Sequence, residues 1–249
     1  MVPIEKLIRN CKSSFQIMFK KNYDCYGADV FLNALENLKN EEIFDRLAVE
    51  PKNKTPEVVD RFLPELRAKI NDTKLDQNLG ELSSSLYWRQ IFKGVGIDKR
   101  LAKSLYAAQI IGNVGLIKSS QVFMGLFLLA PGICYPLHQH DTLEMYYVVS
   151  GNISIAHGRK KKAFNLGPGE FSITPNKQVH SLATSKSPCL MSYIWVAGGG
   201  DLKGPNWWWE EQTDGSWDRI CWVRKADSSW TVTGREKLSE EIISESGDY

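Results

Sequence analysis

The sequence predicts a mainly β protein with α-helices: an antiparallel barrel or sandwich preceded by a helical N-terminal extension. Three observations carry this. Before about residue 115, apolar residues recur at helical spacing. After it, short segments rich in β-branched and aromatic residues are divided by Gly, Pro and Asn. A length of 249 residues, 43% hydrophobic and 24% charged, suits one large domain or one small domain with an extension.

The elements follow in order. In TPEVVDRFLPELRAKI, Thr55 is placed as an N-cap and Pro56 at the first helical position. Val59, Phe62, Leu63, Leu66 and Ile70 then repeat at helical spacing, with Pro64 a candidate kink. GADVFLNALENL and KRLAKSLYAAQI read as two more helices, with connections at Asn71-Asp72 and Gly94-Val95-Gly96. Residues 1–115 are therefore expected to form helices packed on a barrel of residues 116–235. The strands expected there are SQVFMGLFLLA, LEMYYVVSGNISIA, AFNLGPGEFSITP, CLMSYIWVAG and RICWVRKA. One more strand and a frayed acidic tail, 236–249, close the chain. Arg159-Lys160-Lys161-Lys162 reads as a solvated hairpin tip with His157 on the surface beside it, Glu170 as a turn residue, and Cys134 and Cys189 as buried small hydrophobes.

Composition excludes several classes. A net charge of +2 is too small to argue for nucleic acid. VFMGLFLLAPGI is too short for a membrane span and ends at Pro131-Gly132. The first residues lack the apolar core of a secretory signal. Five scattered cysteines without a CxxC point to reduced thiols and a cytoplasmic location. No phosphate loop, dinucleotide fingerprint or Ser-His-Asp arrangement is present.

Chemistry concentrates in GICYPLHQHDTLEMYYVVSG, residues 132–151. On a strand over 137–147, alternate side chains share a face. His138, His140, Glu144 and Tyr146 then point one way, apart from any bulge at Asp141–Leu143, and Leu137, Tyr147 and Val149 point the other way or pack at the ends. Two imidazoles, a carboxylate and a phenol inside a barrel make a set of metal ligands; on the solvent side they would be only a polar stripe. GPGEFSITPNKQVHSLAT favours the first reading, because a Gly turn, a strand and a Pro turn return His180 to the same mouth. Three of the four histidines then serve one site.

The spacings carry a resemblance. Gly132, five residues, His138-x-His140, three residues, Glu144, six residues and Gly151 resemble the first cupin motif. Gly169, five residues, Pro175 and then His180 resemble the second, with Lys177 where Gly is common and Thr184 where Asn is common. Over about residues 120–200 this implies a single cupin β-barrel, a double-stranded β-helix or jelly roll. The set Tyr135, His138, His140, Glu144, Tyr146, His180 and Trp195 is similar to the active site of cupin-type dimethylsulfoniopropionate (DMSP) lyases. That resemblance implies a metal held by His138, His140, Glu144 and His180, with Tyr146 as ligand or base. It also implies β-elimination of DMSP to dimethyl sulfide and acrylate.

His and Glu ligands suit one divalent ion among Zn, Fe, Mn, Co and Ni. A sulfonium has no hydrogen-bond donor, so aromatic faces are its natural partners; Tyr135, Tyr193 and Trp195 are the candidates. Trp207-Trp208-Trp209 is expected to cap the barrel end or line an oligomer interface, with substrate contact the lesser alternative, and a homodimer is the expected assembly. The competing functions are another cupin enzyme, a dioxygenase or an isomerase, and a non-catalytic cupin binding protein. An isomerase of phosphorylated sugars would want basic residues at the barrel mouth, and the sequence assigns none there.

Overall fold

The computed structural model describes residues 3–38, 55–197, 202 and 206–248. Two antiparallel sheets face each other, and helices cover the outside of one. The N-terminal helices are α1 (Ile4–Lys21), α2 (Ala28–Asn37), α3 (Glu57–Arg67) and α4 (Lys74–Ser83). The first sheet has six strands in the order β1 (Arg89–Gln90), β2 (Leu105–Ile111), β3 (Val122–Leu129), β10 (Cys189–Val196), β5 (Leu143–Gly151) and β8 (Phe171–Thr174). The second has seven, in the order β13 (Trp230–Lys237), β12 (Trp217–Arg224), β11 (Asn206–Glu211), β4 (Cys134–Gln139), β9 (His180–Ala183), β6 (Ile153–Ala156) and β7 (Phe164–Leu166). Short helices α5 (Lys99–Ala102) and α6 (Glu240–Glu245) complete the chain. This is the mainly β barrel with N-terminal helices that the sequence predicts. No helix among the described residues is long and apolar enough to cross a membrane.

Strand β5 explains how the layers are held. Eight of its nine residues are buried, which a strand with one solvated face does not show. Leu143, Met145, Tyr147 and Val149 pack into the core shared with α1–α4, among Phe15, Leu66 and Leu79. Tyr146 and Val148 point into the barrel, among Phe127, Met191 and Tyr193. Each such buried apolar side chain contributes roughly 1.5–3 kcal/mol. The helices are amphipathic for the same reason: α1 buries Leu7, Ile8, Cys11, Phe15 and Phe19 along one stripe. Polar contacts also cross this interface: the Tyr147 hydroxyl donates to Asp76 Oδ1 at 2.8 Å, and the Ser150 hydroxyl to the Leu66 carbonyl at 2.8 Å. Asp76 is fully buried, its Oδ2 has no hydrogen-bond partner among the described residues, and burial raises its pKa.

The two departures from the cupin motifs have local solutions. Lys177 takes the left-handed backbone that favours glycine, at φ 61°, while its N–H donates to the His140 carbonyl at 3.0 Å. Thr184 accepts from the Ile133 N–H at 3.0 Å and donates to the Ala130 carbonyl at 2.7 Å, so it ties the turn that Asn would tie. Gly151 closes the first motif at φ 84°, where a Cβ would come within 2.2 Å of the Pro188 carbonyl oxygen.

Several expectations are corrected. Residues 137–147 are not one strand: β4 ends at Gln139, β5 begins at Leu143, and they belong to facing sheets. Of KRLAKSLYAAQI only Lys99–Ala102 is helical; Leu105–Ile111 is β2, because pairing with the buried β3 outweighs local helix propensity. Helix α3 starts at Glu57 with Pro56 as its N-cap and no side-chain cap bond, and it runs through Pro64 to Arg67. The tail is docked rather than frayed. Ser239 caps α6, and Asp248 is buried against Arg159, with Nε to Oδ2 at 2.5 Å.

Arg159 also lies over Trp209 and Trp217, so only Lys160, Lys161 and Lys162 of the basic run are exposed. Cys134 is exposed at the barrel rim, whereas Cys189 is buried and its thiol is pushed up to about 12. Trp207-Trp208-Trp209 is a strand of the barrel wall, with Trp208 and Trp209 buried. His157 is half-buried, 3.2 Å from Thr174 Oγ1.

Two measurements follow from this packing. Tyr147→Phe leaves Asp76 Oδ1 without its donor and lowers stability by about 1–3 kcal/mol, read as a lower denaturant midpoint at unchanged slope. Burial first, and then the neighbouring His180, lower the His157 pKa from 6.5 to about 4. The unfolded chain therefore binds the extra proton between those values, and the stability held by the neutral ring is lost as pH falls through that window. His157→Gln flattens the pH dependence of Tm between pH 6.5 and about 4.

Candidate metal centre

Strand β4 supplies His138, the β4–β5 turn His140, β5 Glu144 and β9 His180. The register is explicit: His138 is the cross-strand partner of His180, Glu144 of Trp195 and Tyr146 of Tyr193. Ligand nitrogens of His138, His140 and His180 all lie within 4.8 Å of one another. Glu144 Oε2 is 3.0 Å from His140 Nε2 and 3.2 Å from His180 Nε2. The four residues are 1%, 7%, 0% and 0% exposed for His138, His140, Glu144 and His180.

The outer ring nitrogens decide what the inner ones can do. His138 Nδ1–H donates to the Pro136 carbonyl at 2.8 Å, and His180 Nδ1–H to the Gln178 carbonyl at 2.9 Å. A carbonyl only accepts, so each Nδ1 must carry the proton. In its neutral form each ring then turns its Nε2 lone pair inward. The Nδ1 of His140 is 2.5 Å from Thr142 Oγ1, which orients the third ring. His180 Nε2 is a buried nitrogen with no hydrogen-bond partner among the described residues, although Glu144 Oε2 stands beside it. Lone pairs facing a carboxylate at this range repel unless a proton or a cation lies between them. Second neighbours that fix the imidazole tautomer are the usual support of a metal site. The donor set thus fits a metal ion.

Positive charge on these rings, or a cation in their midst, acts on the neighbouring groups. Burial pushes the Glu144 carboxyl up, but the charge and hydrogen bond of His140, with His180, outweigh it and hold Glu144 well below the usual carboxylate range. Burial, then the neighbouring His180 and His140, lower His138 far below an ordinary imidazole. Tyr146 is 1% exposed, its ring centroid 6.2 Å from that of His180. Burial first, then the Glu144 charge and a hydrogen bond to Glu144, raise its pKa well above that of a free phenol. Without a nearby cation, Tyr146 is therefore a neutral donor.

The three aromatic candidates separate. Tyr193 and Trp195 line a cavity of about 480 Å³ that also reaches His140 and Thr142. Trp195 packs 4.5 Å from the His140 ring, and its Nε1–H donates to Glu144 Oε1. Tyr135 instead stacks on His138 at 3.7 Å, and its hydroxyl accepts from Asn206 Nδ2 at 2.9 Å. It does not line this cavity.

Sequence reasoning missed Thr142, although its place two residues after His140 was a usable signal. It also missed Gln139, which accepts from Trp209 Nε1 at 2.6 Å and from Ser246 Oγ at 3.2 Å. Arg89, Arg224 and Lys225 line the cavity as well, so the cavity does carry basic residues. Nothing in the sequence joins them, since β1 and β12 meet there only in three dimensions.

Several known proteins are similar to this chain. A curated protein of Cereibacter sphaeroides assigned as the DMSP lyase DddL is 26% identical over 132 residues, 53% of this chain and 54% of that protein. The DMSP lyase DddQ of Ruegeria pomeroyi is 25% identical over 117 residues, 47% of this chain and 56% of that protein. The chain thus matches about half the length of these curated relatives. Among solved structures, DMSP lyase DddQ from Ruegeria pomeroyi DSS-3 superposes with a TM-score of 0.55 at 18% identity, covering 79% of this chain and 94% of that one. A chain from the crystal structures of the DMSP lyases RdDddP and RnDddQII gives 0.53, also at 18% identity, with 76% and 97% covered. At that identity the likeness establishes the shared fold. The family model described as dimethylsulfoniopropionate lyase matches residues 33–191, most of the chain and the whole of the His–Glu–Tyr cluster, and on that match the chain belongs to the dimethylsulfoniopropionate lyase family.

Proposed function

We propose that the protein is a metal-dependent carbon–sulfur lyase that cleaves DMSP to dimethyl sulfide and acrylate by β-elimination. The observation that carries the reading is the position of the Tyr146 phenol, buried beside Glu144 and the inward-facing imidazole nitrogens. His138, His140 and His180 through Nε2, and Glu144 through Oε2, would hold one divalent transition metal, Zn, Fe, Mn, Co or Ni. When bound, that ion supplies positive charge that draws electrons from the substrate carboxylate and favours the Tyr146 phenolate.

The chain's own groups do the rest. Tyr146 oxygen, once deprotonated, takes the proton from the carbon α to the carboxylate. The C–H electrons form the new C=C bond, the C–S bond breaks, and its electron pair leaves on sulfur as neutral dimethyl sulfide. Tyr193 and Trp195 offer aromatic faces to the sulfonium in the cavity, each worth roughly 0.5–2 kcal/mol. Tyr135 acts through His138, whose ring it holds flat. Trp195 also fixes the second oxygen of Glu144, so one side chain serves both the carboxylate and the cavity wall. All five cysteines are unpaired, which suits a reducing, cytoplasmic setting. A homodimer remains part of the proposal as its oligomeric state.

Two experiments test this reading. Tyr146→Phe retains the fold and bound metal but loses about 10²–10⁴-fold in turnover, measured as dimethyl sulfide in the gas phase. Near-normal release from the purified variant removes Tyr146 as the base. Adding Zn²⁺ or Co²⁺ to the metal-stripped protein raises Tm by several degrees, on the order of what binding well above Kd provides. His180→Ala abolishes that increment; an undiminished rise would place the ion elsewhere.

A further inference from the structure

The cavity lined by His140, Tyr193 and Trp195 is lined also by Arg89, which is half-buried, and by Arg224, which is exposed. Neither arginine is paired with a carboxylate among the described residues, and no Asp or Glu lines the cavity. Their neighbours differ. Arg219 and Arg235 on the same β12–β13 hairpin bind Glu236, Glu210 and Asp218, and Arg159 binds Asp248. Arg89 has only neutral company: its Nη2 donates to the Val114 carbonyl at 3.3 Å, and its guanidinium lies 5.2 Å over the Tyr87 ring. Lys225 also lines the cavity, but its charge is felt by Asp227 beside it. The two arginines sense each other as well: burial first, then the charge of Arg89, lower the Arg224 pKa. Tyr193, on the path to the histidines, feels both guanidiniums. Like charges facing one cavity without a counterion repel, and an anion placed between them relieves that cost.

We propose that Arg89 and Arg224 form a carboxylate subsite in this cavity, separate from His140, the member of the histidine cluster that the cavity reaches. The choice of a small carboxylate rests on the lyase reading above, in which substrate and product both carry one. Guanidinium forks match a carboxylate and repel a sulfonium. A zwitterion therefore enters with its anionic end leading, the direction that delivers the carboxylate toward His140. Acrylate leaves past the same pair.

Calorimetric titration of acrylate into the metal-loaded protein reads this subsite without turnover. Arg224→Gln and Arg89→Gln each weaken acrylate binding about tenfold, and Arg224→Lys restores part of it. Added salt weakens binding to the wild type more than to either Gln variant. Arg89 also holds the Val114 carbonyl, so thermal melts check that its variant folds; Arg224→Gln, which breaks no such bond, carries the decision. Unchanged acrylate affinity in folded Arg224→Gln overturns the subsite. Inorganic phosphate that binds more tightly than acrylate, and does so through Arg224, overturns the carboxylate assignment in favour of a phosphorylated ligand. Absence of DMSP turnover, with acrylate binding still dependent on Arg224, sinks the proposed reaction and leaves the subsite standing.

Discussion

Repulsion among inward-facing lone pairs is the constraint on which the site depends. His138 and His180 are held by backbone carbonyls at Nδ1, so neither neutral ring can turn a donor toward Glu144 without breaking that bond, and His140, oriented by Thr142, faces Glu144 Oε2 at 3.0 Å. The four groups are almost fully buried, and water cannot separate them cheaply. A site of this kind is costly as bare protein and favourable around a cation. The same balance governs Tyr146. Beside Glu144 alone its proton is held, whereas a neighbouring positive charge reverses that preference.

Keeping such a cluster rigid requires support from both sides of β5. Inward, Glu144 is gripped by Trp195 across the β5–β10 pair. Outward, Met145 and Tyr147 pack against the N-terminal helices, and Tyr147 reaches Asp76 on α4. On the opposite sheet, Gln139 lies between the two histidines of the motif and binds both Trp209 and the tail residue Ser246. The helical extension and the C-terminal tail are therefore joined to the strands that carry the histidine cluster by hydrogen bonds as well as by apolar packing. A shift in either would be felt at the ligands.

Much of this was legible in the chain. The Gly132–Gly151 and Gly169–His180 spacings, through their resemblance to the cupin motifs, single out His138, His140, Glu144 and His180, and the structure brings these four together. Even so, the route differed from the expectation. His140 and Glu144 share parity, yet they meet because the chain crosses between facing sheets at residues 140–142, not because one strand runs through. KRLAKSLYAAQI misled because its spacing allows a helix and only the pairing with β3 makes Leu105–Ile111 a strand. The acidic tail misled because Arg159, its partner, lies 89 positions away.

By itself the sequence determined which residues could ligate, where the strands and turns fall around them, and that helices precede a barrel. These are local properties, set by periodicity, turn chemistry and residue type. Only the tertiary structure decided that Tyr135 backs His138 while Tyr193 and Trp195 face the cavity, and that Arg89 and Arg224 line it as well. Those relations depend on which strands become neighbours and in what register. That outcome is settled by burying β5 on both faces, an energy summed over the whole core that no short segment records.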